Sequence, residues 1–359
     1  VRAYHLGYGI IPGDAVTAQI LEIDRRLQGW GFETRIFAEH VAPEYRQIAR
    51  PDEALGRLLR DQDALLIYHY SIYTPNARMF RAFDGPKVLV YHNITPARYF
   101  YRWDLDQARL CAMGRHALGT LRRCDLALGI SEYNRRELVE AGFEPACTGV
   151  LPFFVQFQDL ASGLVDERLA QDLRTEDRVN WLSVGRIVPN KAVEDVIRTF
   201  YIYHRYIEPR SRLFLVGSRY VPAYDAQLDA LIEALSLSDA VVLTGRVSPA
   251  ELRAYYQAAD LFMTASHHEG FCVPLIESMF FGVPVLARSA AAVPETLLDA
   301  GVLYKYLGYV EAAEMAHLLV DDRDVRAQVI AGQRARLQVF APEIVEQRLW
   351  EVLQRVGVV

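Results

Sequence analysis

At 359 residues, with 52% hydrophobic and 23% charged side chains, the chain has the composition of a soluble globular protein of about two domains, each able to bury a core. Its formal charge of -6 argues against nucleic acid as the main partner. No apolar run approaches the roughly 20 residues of a membrane span, no basic-then-apolar leader opens the chain, and Cys111, Cys124, Cys147 and Cys272 show neither Cys-x-x-Cys pairs nor metal-ligand spacing. A cytoplasmic protein with reduced thiols is expected.

Short apolar runs alternate with helical patterns from end to end, the mark of parallel sheets covered by helices. In the first half, strands are expected at Ala3–Leu6, Thr34–Phe37, Ala64–Tyr68, Val88–Val90, Leu126–Ile130 and Gly149–Leu151. A helix over Ala15–Gln28 starts behind Gly13-Asp14 and ends before Gly29, and Ser131 reads as the N-cap of a helix Glu132–Ala141 closed by Gly142. The stretch Pro152–Asp177, acidic towards its end and without a clear strand, reads as a linker. The alternation then restarts with Trp181–Val184, Leu213–Val216, Val241–Leu243, Leu261–Met263, Val285–Ala287 and Val302–Tyr304. A last helix is expected over Ile344–Val356. The pattern predicts an α/β fold with two parallel-sheet domains, 1–160 and 161–340, followed by a terminal helix within 341–359 that crosses back to the first. No fixed-period repeat marks a solenoid. Open parallel sheets bind ligands beyond the carboxyl ends of their strands, so two such domains facing each other would form a cleft.

The run His267-His268-Glu269-Gly270-Phe271-Cys272-Val273-Pro274-Leu275-Ile276-Glu277 leaves such a strand end and enters a helix, with Pro274 where proline is tolerated in a first turn. Helix-start amides attract an anion, while Glu269 and Glu277 accept from hydroxyls and repel one. The combination points to a ligand with both chemistries, a diphosphate and sugar hydroxyls. The competing reading is an ordinary strand-loop-helix unit whose acids are solvated. Arg186 and Lys191, in Leu182-Ser183-Val184-Gly185-Arg186-Ile187-Val188-Pro189-Asn190-Lys191, lie beyond another strand, where they either converge on phosphate oxygens or stay solvated. One charge pair at about 4 Å and an effective dielectric near 20 amounts to roughly 4 kcal/mol before desolvation, against about 0.3 to 1 kcal/mol for a helix terminus. Two cations would therefore outweigh the helix in stabilising a leaving diphosphate. No metal or cofactor is expected.

Arg186 with Lys191, then Glu-Gly-Phe-Cys-Val-Pro-Leu-Ile-Glu, then Gly282-Val283-Pro284-Val285, resembles the donor half of the retaining glycosyltransferases of family 4, which have the GT-B fold. Gly13-Asp14-Ala15-Val16-Thr17, Tyr91-His92-Asn93-Ile94-Thr95-Pro96 and Ser131-Glu132-Tyr133-Asn134 are similar to that family's first-strand, histidine and serine-led segments, in the family's order. The resemblance implies two Rossmann-like domains whose sheets face across a cleft, the first for the acceptor and the second for a nucleotide-sugar donor. It implies that Arg186 and Lys191 hold the diphosphate, that Glu277 accepts from the ribose and that Glu269 binds the donor sugar. Gly270 and the backbone of Phe271, Cys272 and Val273 would complete the cradle; Arg246 and Val247 would border the base; Gly13 and Asp14 would approach the phosphates. Many members carry a glycine where this chain has Cys272, which makes the loop less permissive.

His92 follows a strand; the resemblance places it near the reacting carbon, with a packed core histidine as the alternative. His69 closes its strand in a similar way. The implied reaction is front-face transfer with retention, the departing phosphate acting as base and Glu269 binding rather than attacking. A UDP-sugar is favoured over a GDP-sugar, and the acceptor is a polysaccharide, glycolipid or small metabolite. Two rivals remain: a sugar-nucleotide epimerase of the same fold, and a non-catalytic nucleotide-sugar-binding subunit. The stretch Pro96-Ala97-Arg98-Tyr99-Phe100-Tyr101-Arg102-Trp103 either touches an acceptor or the inner face of a membrane, or is packed by its own aromatics.

Overall fold

The computed structural model describes residues 1–175 and 177–359. The first sheet contains β1 (Arg2–Ile10), β2 (Glu33–Val41), β3 (Ala49–Pro51), β4 (Ala64–Tyr70), β5 (Lys87–Tyr91), β6 (Leu126–Gly129) and β7 (Thr148–Val150), in the order β3-β2-β1-β4-β5-β6-β7. The second contains β8 (Val179–Val184), β9 (Ser211–Val216), β10 (Val241–Gly245), β11 (Leu261–Thr264), β12 (Val285–Arg288) and β13 (Val302–Tyr304), in the order β10-β9-β8-β11-β12-β13. Neighbouring strands pair in parallel in both. Every residue of β4 (ALLIYHY) and of β9 (SRLFLV) is buried. Helices cover both faces of a parallel sheet, so its inner strands bury both sets of alternating side chains and read as continuous runs.

Strand order reverses between β1 and β4 in the first sheet and between β8 and β11 in the second. At a reversal, connections from adjacent strands leave towards opposite faces and open a crevice at the carboxyl ends. Each unit therefore has one position favoured for a ligand before any side chain is considered.

The chain divides into two compact units. The first comprises Val1–Arg98, Asp106–Phe154 and Phe340–Val359, and the second Tyr99–Leu105 and Val155–Val339. The chain thus passes into the second unit at Val155, not at 160, and Pro152–Asp177 is not an open linker: it forms helices Phe157–Ser162 and Glu167–Thr175, with residue 176 outside the described residues. The second of these helices buries Ala170 and Leu173, and Arg174 donates to the Gln257 backbone oxygen at 3.4 Å, tying it to the helix Pro249–Ala258. The strand β3 has no counterpart in the sequence reading. It is three residues long, pairs only with β2 and ends in Pro51, so it carries no alternation and takes the edge position open to proline.

The C-terminal helix Pro342–Val356 belongs to the first unit, where Leu349, Val352 and Leu353 line one apolar pocket with Ile23, Ile67 and Val88. Trp350 meets Trp30 edge-on at 4.9 Å between ring centres. No helix of the described residues is long and apolar enough to cross a membrane.

Candidate functional site

In the second unit, the segments leaving β8 and β11 meet at the strand-order reversal. The backbone N–H of His267 donates to Asn190 O at 2.8 Å, and Asn190 Nδ2 donates back to His268 O at 3.0 Å. This stitching brings Lys191 to Glu269: Nζ lies 2.5 Å from Oε1, and Ser266 Oγ donates to the same oxygen at 2.8 Å. Glu269 is buried, and these partners supply the hydrogen bonds that burial takes from water. Arg186, on the same loop as Lys191, is exposed and makes no hydrogen bond or ion pair among the described residues. The loop can pass this close to β9 because Gly217 has no side chain: a Cβ there would lie 1.8 Å from Gly185 O.

His267 is fixed from the other side. Arg288 Nη1 lies 3.0 Å from its Nδ1, and since a guanidinium only donates, that nitrogen accepts. Arg288 in turn donates to Asp195 Oδ2 at 2.6 Å, and Tyr309 donates to the other Asp195 oxygen at 2.8 Å.

The helix Val273–Phe281 begins directly after this loop, with Pro274 in its first turn. Its first backbone amides have no intrahelical acceptor, which leaves that end partly positive. Cys272 at the N-cap has φ 72° and ψ 69°, the left-handed conformation in which glycine costs least. Cys272, where the resemblance leads one to expect a glycine, thus adopts a backbone shape that suits glycine. Burial pushes its thiol pKa up, which keeps the group neutral. Gly270 and Phe271 are buried, and Phe271 O accepts from Thr296 Oγ1 at 2.7 Å. Glu277, one turn into the helix, accepts from the buried Tyr256 hydroxyl at 2.7 Å on Oε2. Enclosure raises the Glu277 carboxyl above its usual value, and the Tyr256 bond opposes the rise. Arg246 and Val247 follow β10, the edge strand of this sheet; Arg246 is exposed and without a partner among the described residues.

The first unit holds the remaining residues singled out from the sequence. Gly13 has φ 70°, and Asp14 caps the helix Ala15–Gly29, accepting from the Thr17 N–H at 3.0 Å. The cap accounts for Asp14 without a ligand. His92 extends the β5 pairing, its N–H donating to Tyr70 O at 2.9 Å, and its ring is buried beside His69 with 3.0 Å between His92 Nε2 and His69 Nδ1. At the carboxyl ends of β1, β2 and β3 lies a cavity of about 740 Å³ lined by Ile11, His40, Arg46 and Arg50 among others. Neither arginine has a partner among the described residues.

Of the two readings of the aromatic stretch after His92, the structure favours packing, but much of the stretch lies outside the first domain in which the sequence reading placed it. Tyr99–Leu105 belongs to the second unit, where Trp103 packs edge-on against Tyr224 at 5.2 Å and Tyr99 stacks on His267 at 5.9 Å. Tyr101 is exposed, but its neighbours are engaged in packing, which supports the bland reading of that segment.

Ser266, Asn190, Tyr256 and Arg288 were not legible as site residues. Ser266 had a weak signal, three residues before Glu269 and two after the end of β11. Tyr256 and Arg288 act across elements, and no local spacing announces such contacts.

Two doubly wound parallel units in one chain define the GT-B class of fold. The crystal structure of Anabaena HepE in complex with UDP and glucose has this fold: it superposes with a TM-score of 0.79 over 98% of this chain and 99% of that one, at 18% identity. Residues 166–338 match the model of the family described as glycosyl transferases group 1, the same family that the sequence motifs resemble. Curated relatives include the O-antigen chain mannosyltransferase B of Escherichia coli, 26% identical over 249 residues, which are 68% of this chain and 62% of that protein. Another is the GDP-mannose-dependent alpha-(1-6)-phosphatidylinositol monomannoside mannosyltransferase of Mycolicibacterium smegmatis, 27% identical over 240 residues, 64% of this chain and 62% of that protein. The chain therefore spans less than two thirds of the length of these curated relatives.

Proposed function

We propose that the chain transfers a sugar from a nucleoside-diphosphate donor to a hydroxyl of a carbohydrate, glycolipid or small-molecule acceptor, with retention of configuration. The observation that carries this reading is the Lys191–Glu269 pair at the crevice between β8 and β11, with the unpaired Arg186 on the same loop. A sugar nucleotide brings an anion for the cations and hydroxyls for the carboxylate. On binding, the diphosphate takes Lys191, and Glu269, still held by Ser266, turns its acceptor capacity to the sugar hydroxyls. Glu277, with one oxygen on Tyr256, offers the other to the ribose. Gly270, Phe271, Cys272 and Val273 form the phosphate and sugar cradle, Arg246 and Val247 border the base, and Gly13, Asp14 and His92 are the first unit's substrate contacts.

In the reaction, the bond between the anomeric carbon and the diphosphate oxygen breaks while Arg186, Lys191 and the helix start at Val273 stabilise the leaving charge. The acceptor oxygen bonds to the anomeric carbon from the same face, and its proton passes to the departing phosphate. For the acceptor, the cavity lined by Arg46 and Arg50 fits a molecule that carries an acidic group as well as its hydroxyl.

The test begins with a thermal-shift series of UDP-glucose against GDP-mannose. The uridine donor follows the sequence reading, and GDP-mannose is its rival because of the mannosyltransferase relatives. A donor present at 100 times its dissociation constant should add about 2.7 kcal/mol of stability. Lys191→Ala and Glu277→Ala should abolish that shift, and Glu269→Ala should lose turnover as well. Wild-type donor affinity in all three would overturn the assignment. Release of an epimerised free sugar without acceptor would establish the epimerase instead, and donor binding without hydrolysis or transfer on a panel of neutral and acidic acceptors would establish the idle subunit.

A further inference from the structure

Three histidines lie side by side on one face of the first sheet. His5 Nδ1 is 3.1 Å from His69 Nε2, and His69 Nδ1 is 3.0 Å from His92 Nε2. The rings follow one another edge to edge, with centres 5.3 Å apart in both pairs and planes inclined by 27° and 24°. The ladder crosses β1, β4 and the end of β5, climbing two residues at each step: Gly7, not His5, is the register partner of His69. All three rings are buried. At one end His5 Nε2 is 3.8 Å from Asp24 Oδ1, on the helix Ala15–Gly29, while Gln28 holds the other Asp24 oxygen at 2.8 Å. At the far end His92 Nδ1 is buried and has no hydrogen-bond partner.

Burial disfavours an imidazolium anywhere in the ladder: it pushes the His5 pKa down to about 4 and that of His92 to about 3, and holds that of His69 well below the usual value. The rings are therefore neutral near pH 7, with one N–H each. Each contact between rings needs one nitrogen that donates and one that accepts, so only two proton orders satisfy both contacts. With every proton on Nδ1, His5 would turn a bare lone pair towards the Asp24 carboxylate. With every proton on Nε2, His5 turns an N–H towards that carboxylate, and the order ends in a bare lone pair on His92 Nδ1. Electrostatics selects the second order.

We propose that Asp24, acting through His5 and His69, sets His92 as its Nε2–H tautomer, so that His92 Nδ1 accepts a hydrogen bond from a hydroxyl of the sugar substrate. This rests on the transferase reading above for the identity of the hydroxyl, but not for the tautomer. Asp24, His5 and His69 are positioning residues: they touch no substrate and decide which groups His92 can recognise. A hydroxyl can donate to it, and a deprotonated phosphate oxygen cannot.

The test reads the tautomers directly. Histidine-selective ¹⁵N labelling of the full chain, with long-range ¹H–¹⁵N correlation at neutral pH and assignment through single histidine substitutions, distinguishes protonated from bare ring nitrogens without ligand. The expected spectrum has a bare Nδ1 and a protonated Nε2 in His5, His69 and His92. Asp24→Leu, with folding checked by circular dichroism, should mix or invert the His92 tautomer although it alters a residue two rings away. A protonated Nδ1 on His92 in the parent protein, or a His92 tautomer unchanged in Asp24→Leu, overturns the proposal. The parent spectrum decides the matter even where the variant folds poorly. Since no substrate is present, the expected tautomer together with absent sugar transfer would overturn the functional reading alone, and the opposite tautomer together with transfer would overturn the ladder alone.

Discussion

Lys191 and Glu269 hold each other where the loops after β8 and β11 meet. The pair is partly buried, with 21% and 9% of the two side chains exposed, so it lies between the surface pairs that contribute under about 1 kcal/mol and the buried ones whose breakage costs about 3 to 5 kcal/mol. Lys191→Met should therefore cost about 2 kcal/mol, most of it from leaving the carboxylate without its cation, and adding Glu269→Gln should recover the larger part. Urea unfolding of the two single variants and the double variant measures this, and simple additivity would show that the pair is not coupled. The same loops carry backbone strain. Ala192 at φ 48° follows Lys191, and Cys272 at φ 72° precedes the helix, both in a conformation that costs non-glycine residues on the order of 1 to 2 kcal/mol. Two such residues flank the Lys191–Glu269 pair, and strained backbone of this kind agrees with the binding role proposed above for the segment. The charged members were legible because type and spacing mark them: Arg186 to Lys191 after one strand, Glu269 to Glu277 across a junction. Their pairing was not, because 78 residues separate Lys191 from Glu269.

At the scale of elements, local signals specified the helix starts. Asp14 and Ser131 cap their helices by accepting from Thr17 N and Asn134 N, and Pro274 sits in a first turn. Asp14 was also expected to approach a phosphate, and the two roles separate by substitution. Asp14→Asn keeps the cap and should leave stability unchanged, whereas Asp14→Ala should lose about 1 kcal/mol, read as a lower melting temperature. A donor affinity altered by Asp14→Asn would assign the charge a binding role beyond the cap. Strand ends were less legible than strand cores: β1 runs four residues past the expected Leu6, through Gly7 and Gly9, which lower strand propensity but here line a covered sheet. The helices inside Pro152–Asp177 escaped notice because each is short and buries few residues, Ala170 and Leu173 in the longer one, so periodicity had little to register.

For the molecule as a whole, the first unit's buried histidines predict an acid sensitivity. Their folded pKa values lie below the unfolded value of about 6.5, at about 4 for His5 and about 3 for His92. Above pH 6.5 neither state is protonated and the rings contribute no pH dependence. As pH falls below that value the unfolded chain takes up protons that the folded rings refuse, and stability declines until the folded pKa values are reached. The slope approaches 1.4 kcal/mol per pH unit for each such ring, an order-of-magnitude figure that the Asp24 carboxylate reduces at His5. Unfolding free energies measured by urea titration should fall between pH 6.5 and 5, before most carboxylates titrate; a flat profile there would contradict buried neutral rings.

The amino-acid sequence by itself determined the α/β class, nearly every strand, the capped helices, and the residue types that suit a nucleotide sugar. These follow from short-range physics: alternation of apolar runs with helical periodicity, cap chemistry, and charged groups placed just after strands. The tertiary structure decided what depends on distant segments lying side by side. It ordered the strands so that the loops after β8 and β11 meet, gave Tyr99–Leu105 to the second unit and the C-terminal helix to the first, and aligned His5, His69 and His92 with Asp24. Strand order sets those neighbours, and it arises from how helices and sheets bury each other's faces, a global packing condition that no local window of sequence records.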